Sequence, residues 1–494
     1  MTVYLRPSNS SEKTPNMISV KGTLVCKGVR LSIGTQMEEV PFAIRGESIR
    51  GTIGPHAVTI TFNEPYGKLY RPLKATTERA AQIALMQFLS DTHPTNAREE
   101  RIVRVAAAAL IVPKAGEIVE LPNRVVICRW EGPFATIVSI FSLTLGPIQK
   151  GTFRQASPMT EEVLRATPRS LEFGRVNCVL IESLNPKFPF SGIGDVQVLE
   201  HIAKKNGGKL PEGFQSFPKV VLENAQIMKR YGLGNMAKAA DQLTLSGKLS
   251  ALRGPIAALK GLENFGVCHR DIKPSNWLVG LEKNVPFGVL SDFEGVMIFP
   301  KFDWNTATPA ERKEMALTII QFARIPAGHD ECRPNIPSNP HTTLYAENMK
   351  WEELFKQIWD DVCRLADRQS LGERLRVFVE IYAIFTDLFL KIQIFQTGIG
   401  VMQILFSHYN LPLFELNKII VSAVAENDTA NFEILSGNLH ALFDSKLAEA
   451  FLNFFKGTLN VSAKDRFDAA QAIAAYDTIL KVEGALAPPY LTWY

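Results

Sequence analysis

The most constraining stretch of this 494-residue chain runs from 267 to 295 and reads VCHRDIKPSNWLVG, then VLSDFEG after eight further residues. Trp277-Leu278-Val279 and Val289-Leu290 are short apolar runs on either side of a turn region at 280–288. That pattern predicts a hairpin with a polar loop at each open end, both presented at one edge. His269, Arg270, Asp271, Lys273 and Asn276 lie on the loop before the first strand, and Asp292 on the loop after the second. Asp and Asn also cap turns with no chemistry attached, so the density of charged and amide groups counts for more than any one of them.

His269-Arg270-Asp271-Ile272-Lys273-Pro274-Ser275-Asn276 resembles the catalytic loop of eukaryotic-type protein kinases, and Ser291-Asp292-Phe293-Glu294-Gly295 resembles their metal-binding loop. The resemblance implies an α+β, two-lobed protein-kinase-like fold, with a β-rich N-lobe and a mainly helical C-lobe with insertions. The expected division is a tail over 1–16, a divergent N-lobe over 17–183 and a C-lobe over 184–494. The implied activity is transfer of the ATP γ-phosphate to serine or threonine of a protein substrate, a reaction that needs positioning and charge neutralisation more than covalent chemistry. In that scheme Asp271 orients and receives the proton of the acceptor hydroxyl, and Lys273 neutralises the moving phosphoryl group. Asn276 and Asp292 supply hard oxygen ligands for Mg²⁺ or Mn²⁺, while His269 and Arg270 complete the loop. Lysine two residues after the aspartate is the family's Ser/Thr-type choice. A partner that completes or activates the nucleotide pocket is a further expectation.

The N-terminal half departs from the family. It has no Gly-x-Gly-x-x-Gly followed by valine: Gly46, Gly51 and Gly54 are wrongly spaced, and Gly232 and Gly234 come too late. The strand lysine that grips nucleotide phosphates is expected at Lys74, with Glu99 or Glu100 as its partner; Lys68 and Lys150, the latter with Glu161 or Glu162, are rivals. Strand-like runs occur at 23–25, 42–44, 57–60, 117–121, 124–130, 136–145 and 176–181, and apolar spacing predicts helices over 76–89 and 97–110. The hinge is expected at 140–145 or at 179–183.

From Leu245 the match improves. Leu245, Leu249, Leu252, Ile256, Leu259 and Leu262 make one apolar helix face. Pro255 is expected to kink or restart that helix, and Gly266 to end it in the left-handed conformation. Further on, 342–347 resembles the end of an activation segment, with Glu347 as its glutamate, Thr342 and Thr343 as phosphorylation sites and Arg270 as the phosphate's partner. Asp360-Asp361 resembles the start of the helix whose aspartate hydrogen-bonds the catalytic-loop backbone. Arg466, in the last subdomain, is expected to pair with Glu347. The apolar stretch 371–459 matches no motif.

Composition bounds the alternatives. Basic and acidic residues number 54 and 50, well mixed, which gives no case for a nucleic-acid surface. Six cysteines without a CxxC indicate neither a zinc site nor a disulfide framework. The uncharged run at 392–414 carries Gln393, Gln396, Gln403, His408, Asn410 and Pro412 and reads as buried helix, not a membrane span. The first 16 residues show no apolar core of a signal peptide, so the expected location is cytoplasmic, or inside a host cell as a delivered effector. Two other functions stay open. A pseudokinase scaffold would fit the missing glycine loop and Glu294 where the family has glycine; a kinase-fold transferase would act on a small molecule or move a nucleotide.

Overall fold

Short β-branched runs broken by glycine dictate a strand-rich first half, and the structure, a computed structural model, pairs them into antiparallel sheets. It describes residues 17–26, 29–35, 43–45, 48–62, 98–111, 115–150, 154–184, 193–222, 224–269, 271–293, 296–298, 308, 390–391, 393–406, 429–460 and 465–485. These make a mixed α+β protein with a curled antiparallel sheet. The chain divides into two units. One comprises the chain up to Ile193 with Phe217–Arg230; the other comprises Gly194–Ser216 and Tyr231–Trp493.

In the first unit the elements run β1 (Ile18–Val20), β2 (Gly22–Cys26), β3 (Val29–Thr35), β4 (Ala43–Arg45), β5 (Ser48–Ile53), β6 (His56–Phe62), α1 (Arg98–Ile111), β7 (Ile118–Leu121), β8 (Val125–Glu131), β9 (Thr136–Leu143), β10 (Gln149–Lys150), β11 (Arg154–Ala166), β12 (Leu171–Ser183), β13 (Val220–Val221) and β14 (Ala225–Lys229). One sheet has the order β2-β3-β6-β5-β4. The larger has the order β13-β14-β12-β11-β9-β8-β7, with β1 added on β12 and β10 on β11. Helix α1 is buried along Ile102–Leu110 and shares one core with Leu31, Ile49 and Ile60 of the small sheet and Ile127, Val138 and Leu164 of the large one. That sharing explains a helix rich in alanine, since small side chains let backbone approach sheet closely.

The centre of the large sheet is β11, whose sequence RQASPMTEEVLRA has little strand character. Tertiary context overrides its propensity, because it is paired along its length with β12 and from Met159 onward with β9. Pro158 stands one residue beyond the last pair with β9, where its carbonyl still accepts Thr144 N–H; its nitrogen faces that same fading edge and not β12, so the β12 ladder loses no bond. Glu161 and Glu162, adjacent on β11, point to opposite faces, and each is buried against a cation. Glu162 meets Arg104 of α1 at 3.3 Å, and Arg104 also donates to Ser142 Oγ at 2.8 Å. Glu161 meets Lys219 at 2.6 Å and accepts Ser139 Oγ–H at 2.7 Å.

The second unit contains α2 (Ile193–Lys205, from its second residue on), β15 (Gly234–Asn235), α3 (Leu245–Phe265), β16 (Val267–Cys268), β17 (Trp277–Glu282), β18 (Val285–Leu290), β19 (Met297–Ile298), a helix over 393–406 (α4), α5 (Thr429–Leu442), α6 (Ser445–Thr458) and α7 (Ala469–Glu483). Helix α3 starts at Thr244, whose hydroxyl caps Gly247 N–H, and stops at Gly266, whose φ of 65° is the expected left-handed cap. Pro255 does not interrupt it. The carbonyl of Ala251, four residues earlier, packs against Gly288 of β18, while Gly254 abuts the Gly288 carbonyl and Gly213 the Gly254 carbonyl. A methyl at any of the three would collide with backbone, so the glycines let strand and loop lie directly on the helix. The same part of α3 also meets α7: Tyr476 donates to Leu249 O at 2.9 Å, and Arg253 pairs with Asp477 at 2.5 Å.

Candidate active site

The β17–β18 hairpin forms as the apolar runs require, with Trp277 opposite Leu290 and Glu282 opposite Val285. Its turn is tighter than the expected 280–288 region. Lys283 and Asn284 sit at φ 49° and 67°, the two-residue turn with both centres left-handed, and both glycines lie inside strands. Trp277, fully buried, anchors the hairpin against Gly400 of α4.

The two open ends of the hairpin bring the polar residues together. Asp271 Oδ2 lies 2.9 Å from Lys273 Nζ. Asn276 Nδ2 donates to Asp271 O at 2.9 Å and to Asp271 Oδ2 at 3.1 Å. The Asn276 amide hydrogens are thereby spent on Asp271, which leaves Oδ1 as its remaining polar atom. Asp271 Oδ1 is buried with no hydrogen-bond partner among the described residues, an orphaned acceptor of the kind that calls for an explanation at a functional site. On the second loop, Asp292 adopts φ 70°, uncommon outside glycine and the kind of backbone held only where its surroundings enforce it.

Its surroundings do enforce it. Phe293 is fully buried, stacked on Phe214 with ring centroids 5.6 Å apart and edge-on to His269 at 5.1 Å. Phe214 is held by a parallel bridge to Leu290, with Leu290 N–H donating to Gly213 O at 2.7 Å and Gln215 N–H to Leu290 O at 3.0 Å. His269 is almost completely buried and donates Nε2–H to Ser291 O at 2.8 Å. Burial lowers its pKa below the ordinary histidine range, outweighing the Ser291 carbonyl and the nearby aspartates, so the ring is neutral.

Gln393, in α4, was missed in the sequence because it lies in a stretch that matched no motif. Its Oε1 accepts His269 N–H at 2.8 Å and its Nε2 donates to Val267 O at 3.1 Å. These two bonds tie α4 to the backbone just before Asp271. Arg466 is buried, donating to Asn460 O at 2.7 Å and Lys391 O at 2.9 Å and lying over the Phe395 ring at 5.1 Å. Arg270, Lys74, Lys68, Thr342, Thr343, Glu347, Asp360 and Asp361 lie outside the described residues.

In the first unit, Lys150 is exposed on β10, while Glu161 and Glu162 are engaged by Lys219 and Arg104. Lys219 was not considered from sequence, and only the paired strands β13 and β14 bring it to β11's neighbourhood. Of the expected hinge stretches, 179–183 lies inside β12 and 140–145 starts in β9 and runs two residues past its end; β14 and then β15 precede α3. No group of three or more His, Cys, Asp or Glu that could hold a metal ion occurs among the described residues. Mg²⁺ does not call for one, since it takes one or two carboxylates together with substrate phosphates and water. Among the described residues, no helix is long and apolar enough to cross a membrane. No protein-family model matches the chain, and no curated protein matches it.

Proposed function

We propose that this chain is an ATP-dependent phosphotransferase of two-lobed, protein-kinase-like architecture that transfers the γ-phosphoryl group to a serine or threonine hydroxyl of a protein. The observation that carries this reading is the convergence of Asp271, Lys273 and Asn276, with the Asp292 loop tied to them through Ser291. Asp271 keeps one carboxylate oxygen fixed by Lys273 and Asn276 and the other without a partner among the described residues, an arrangement suited to orienting an incoming hydroxyl and taking its proton. The hydroxyl oxygen forms its bond to the γ-phosphorus as the bond to the β-phosphate oxygen breaks, and the proton passes to Asp271. Lys273, beside Asp271, offsets the charge on the phosphoryl group in flight. Asn276 Oδ1 and the Asp292 carboxylate fit a hard divalent cation, and Mg²⁺ or Mn²⁺ held there would neutralise the phosphates of the nucleotide.

A second reading is a kinase-like scaffold that binds without catalysing. One observation favours it: β12, the strand that precedes α2 with its Glu200, contains no lysine, although a strand lysine paired with a helix glutamate is part of the kinase phosphate grip. Thermal unfolding with ATP and Mg²⁺ separates the two. A ligand that binds only the native state raises its stability, so the phosphotransferase reading expects a shift at millimolar nucleotide, with its metal-dependent part lost in Asp292→Ala. Absence of any shift would favour the scaffold.

A further inference from the structure

Ser291 is the residue where the two loops are joined, and it is bonded at three atoms. Its backbone N–H donates to Asn276 O at 2.9 Å, its Oγ–H donates to the same carbonyl at 2.7 Å, and its own carbonyl accepts His269 Nε2–H at 2.8 Å. The last strand pair of the hairpin is Trp277 with Leu290, so the contact between Asn276 and Ser291 extends the hairpin one step beyond its ladder. Asn276 and Ser291 are both buried. A carbonyl has two lone pairs, and without the hydroxyl the second one here would have no protein donor.

We propose that Ser291 is a positioning residue for the metal-binding pair, its hydroxyl fixing Asn276 relative to Asp292. The proposal rests on the phosphotransferase reading above. The chemistry is that of an outer partner behind a ligand: Ser291 touches neither nucleotide nor metal, but each ligand is its neighbour, Asp292 through the chain and Asn276 through two hydrogen bonds to one oxygen. An amide side chain whose own backbone is doubly tied presents its oxygen in one direction. With a single tie, the turn from Pro274 to Asn276 is joined to Ser291 by the Ser291 N–H bond alone, since its bonds to Lys273 and Asp271 stay within the first loop. Loss of such outer partners typically weakens metal binding about tenfold to a hundredfold.

The test is a Mg²⁺ titration of the nucleotide-induced thermal shift at fixed ATP, on the wild type, Ser291→Ala, Ser291→Cys and Ser291→Thr. Alanine removes the donor, cysteine keeps the size but donates weakly, and threonine keeps the hydroxyl. The expected result is a Mg²⁺ midpoint raised about tenfold in Ser291→Ala and Ser291→Cys, with the full shift recovered at saturating Mg²⁺ and the wild-type midpoint restored in Ser291→Thr. A purely structural role would lower the melting temperature without ligand and leave the Mg²⁺ midpoint in place. If Ser291→Ala does not fold, the midpoint of Ser291→Cys decides alone. A wild-type midpoint in a folded alanine or cysteine variant overturns the proposal. A wild type that shows no Mg²⁺-dependent shift at all overturns the phosphotransferase reading instead.

Discussion

Gln393 holds the strand before the Asp271 loop by both edges of one peptide segment: its Oε1 takes His269 N–H at 2.8 Å and its Nε2 reaches Val267 O at 3.1 Å. A carboxylate at this position could accept the first bond but could not donate the second. The amide therefore fixes β16 in register without placing a charge beside the fully buried Val267 and Cys268.

Replacing Gln393 by leucine keeps the volume close and removes both bonds. Two buried backbone groups are then left unpaired, at about 1–3 kcal/mol each. Equilibrium unfolding in urea should show a loss of about 2–6 kcal/mol with an unchanged slope. A loss below about 0.5 kcal/mol, the range of ordinary surface changes, would mean that the clamp contributes nothing.

Gly254 offers a prediction opposite in sign to helix propensity. Alanine in the middle of a helix is favoured over glycine by about 1 kcal/mol, yet a Cβ here would run into the Gly288 carbonyl of β18. Backbone cannot yield as a flexible side-chain tip can, so overpacking at about 1–3 kcal/mol or more wins. Gly254→Ala should lower the urea midpoint, whereas Gly437→Ala in α5, where a Cβ would meet nothing within 4 Å, should leave it equal or raise it.

His269 makes stability depend on pH. Burial holds its folded pKa below the ordinary value of about 6.5, so at neutral pH the ring is uncharged in both folded and unfolded chains. As pH falls through about 6.5 the unfolded chain takes up the proton first, and the folded state loses stability until its own, lower pKa is passed. Comparing urea unfolding at about pH 7.5 and about pH 5.5, one unit either side of that value, should show a smaller acid loss in His269→Gln than in wild type. Equal losses would mean that the ring is not held neutral.

The hairpin and its two loops were legible in the sequence because local signals agreed there: apolar runs, turn residues and polar loop residues all pointed to one structure. Helix α3 and its Gly266 cap were legible for the same reason. The continuity of that helix through Pro255 was not: the proline reads as a break, and the close approach of Gly288, distant in sequence, to the Ala251 carbonyl is visible only in the fold. Strand β11 was missed because Glu161, Glu162 and Pro158 are poor strand formers, and only Arg104, Lys219 and the partner strands make them acceptable. Gln393 was missed for a related reason: one amide in an apolar run reads as an interruption until the backbone groups it satisfies are seen.

The central claim is that Asp271 receives the proton of an acceptor hydroxyl during phosphoryl transfer. Asp271→Asn keeps the size of the side chain and removes its charge, so folding should hardly change while the step that depends on the base is lost. Wild type and Asp271→Asn are incubated with γ-labelled ATP, Mg²⁺ and a generic protein acceptor. The account predicts label on serine or threonine with the wild type and at least about a hundredfold less with the variant. Equal labelling by the two proteins, or none by the wild type, would contradict it.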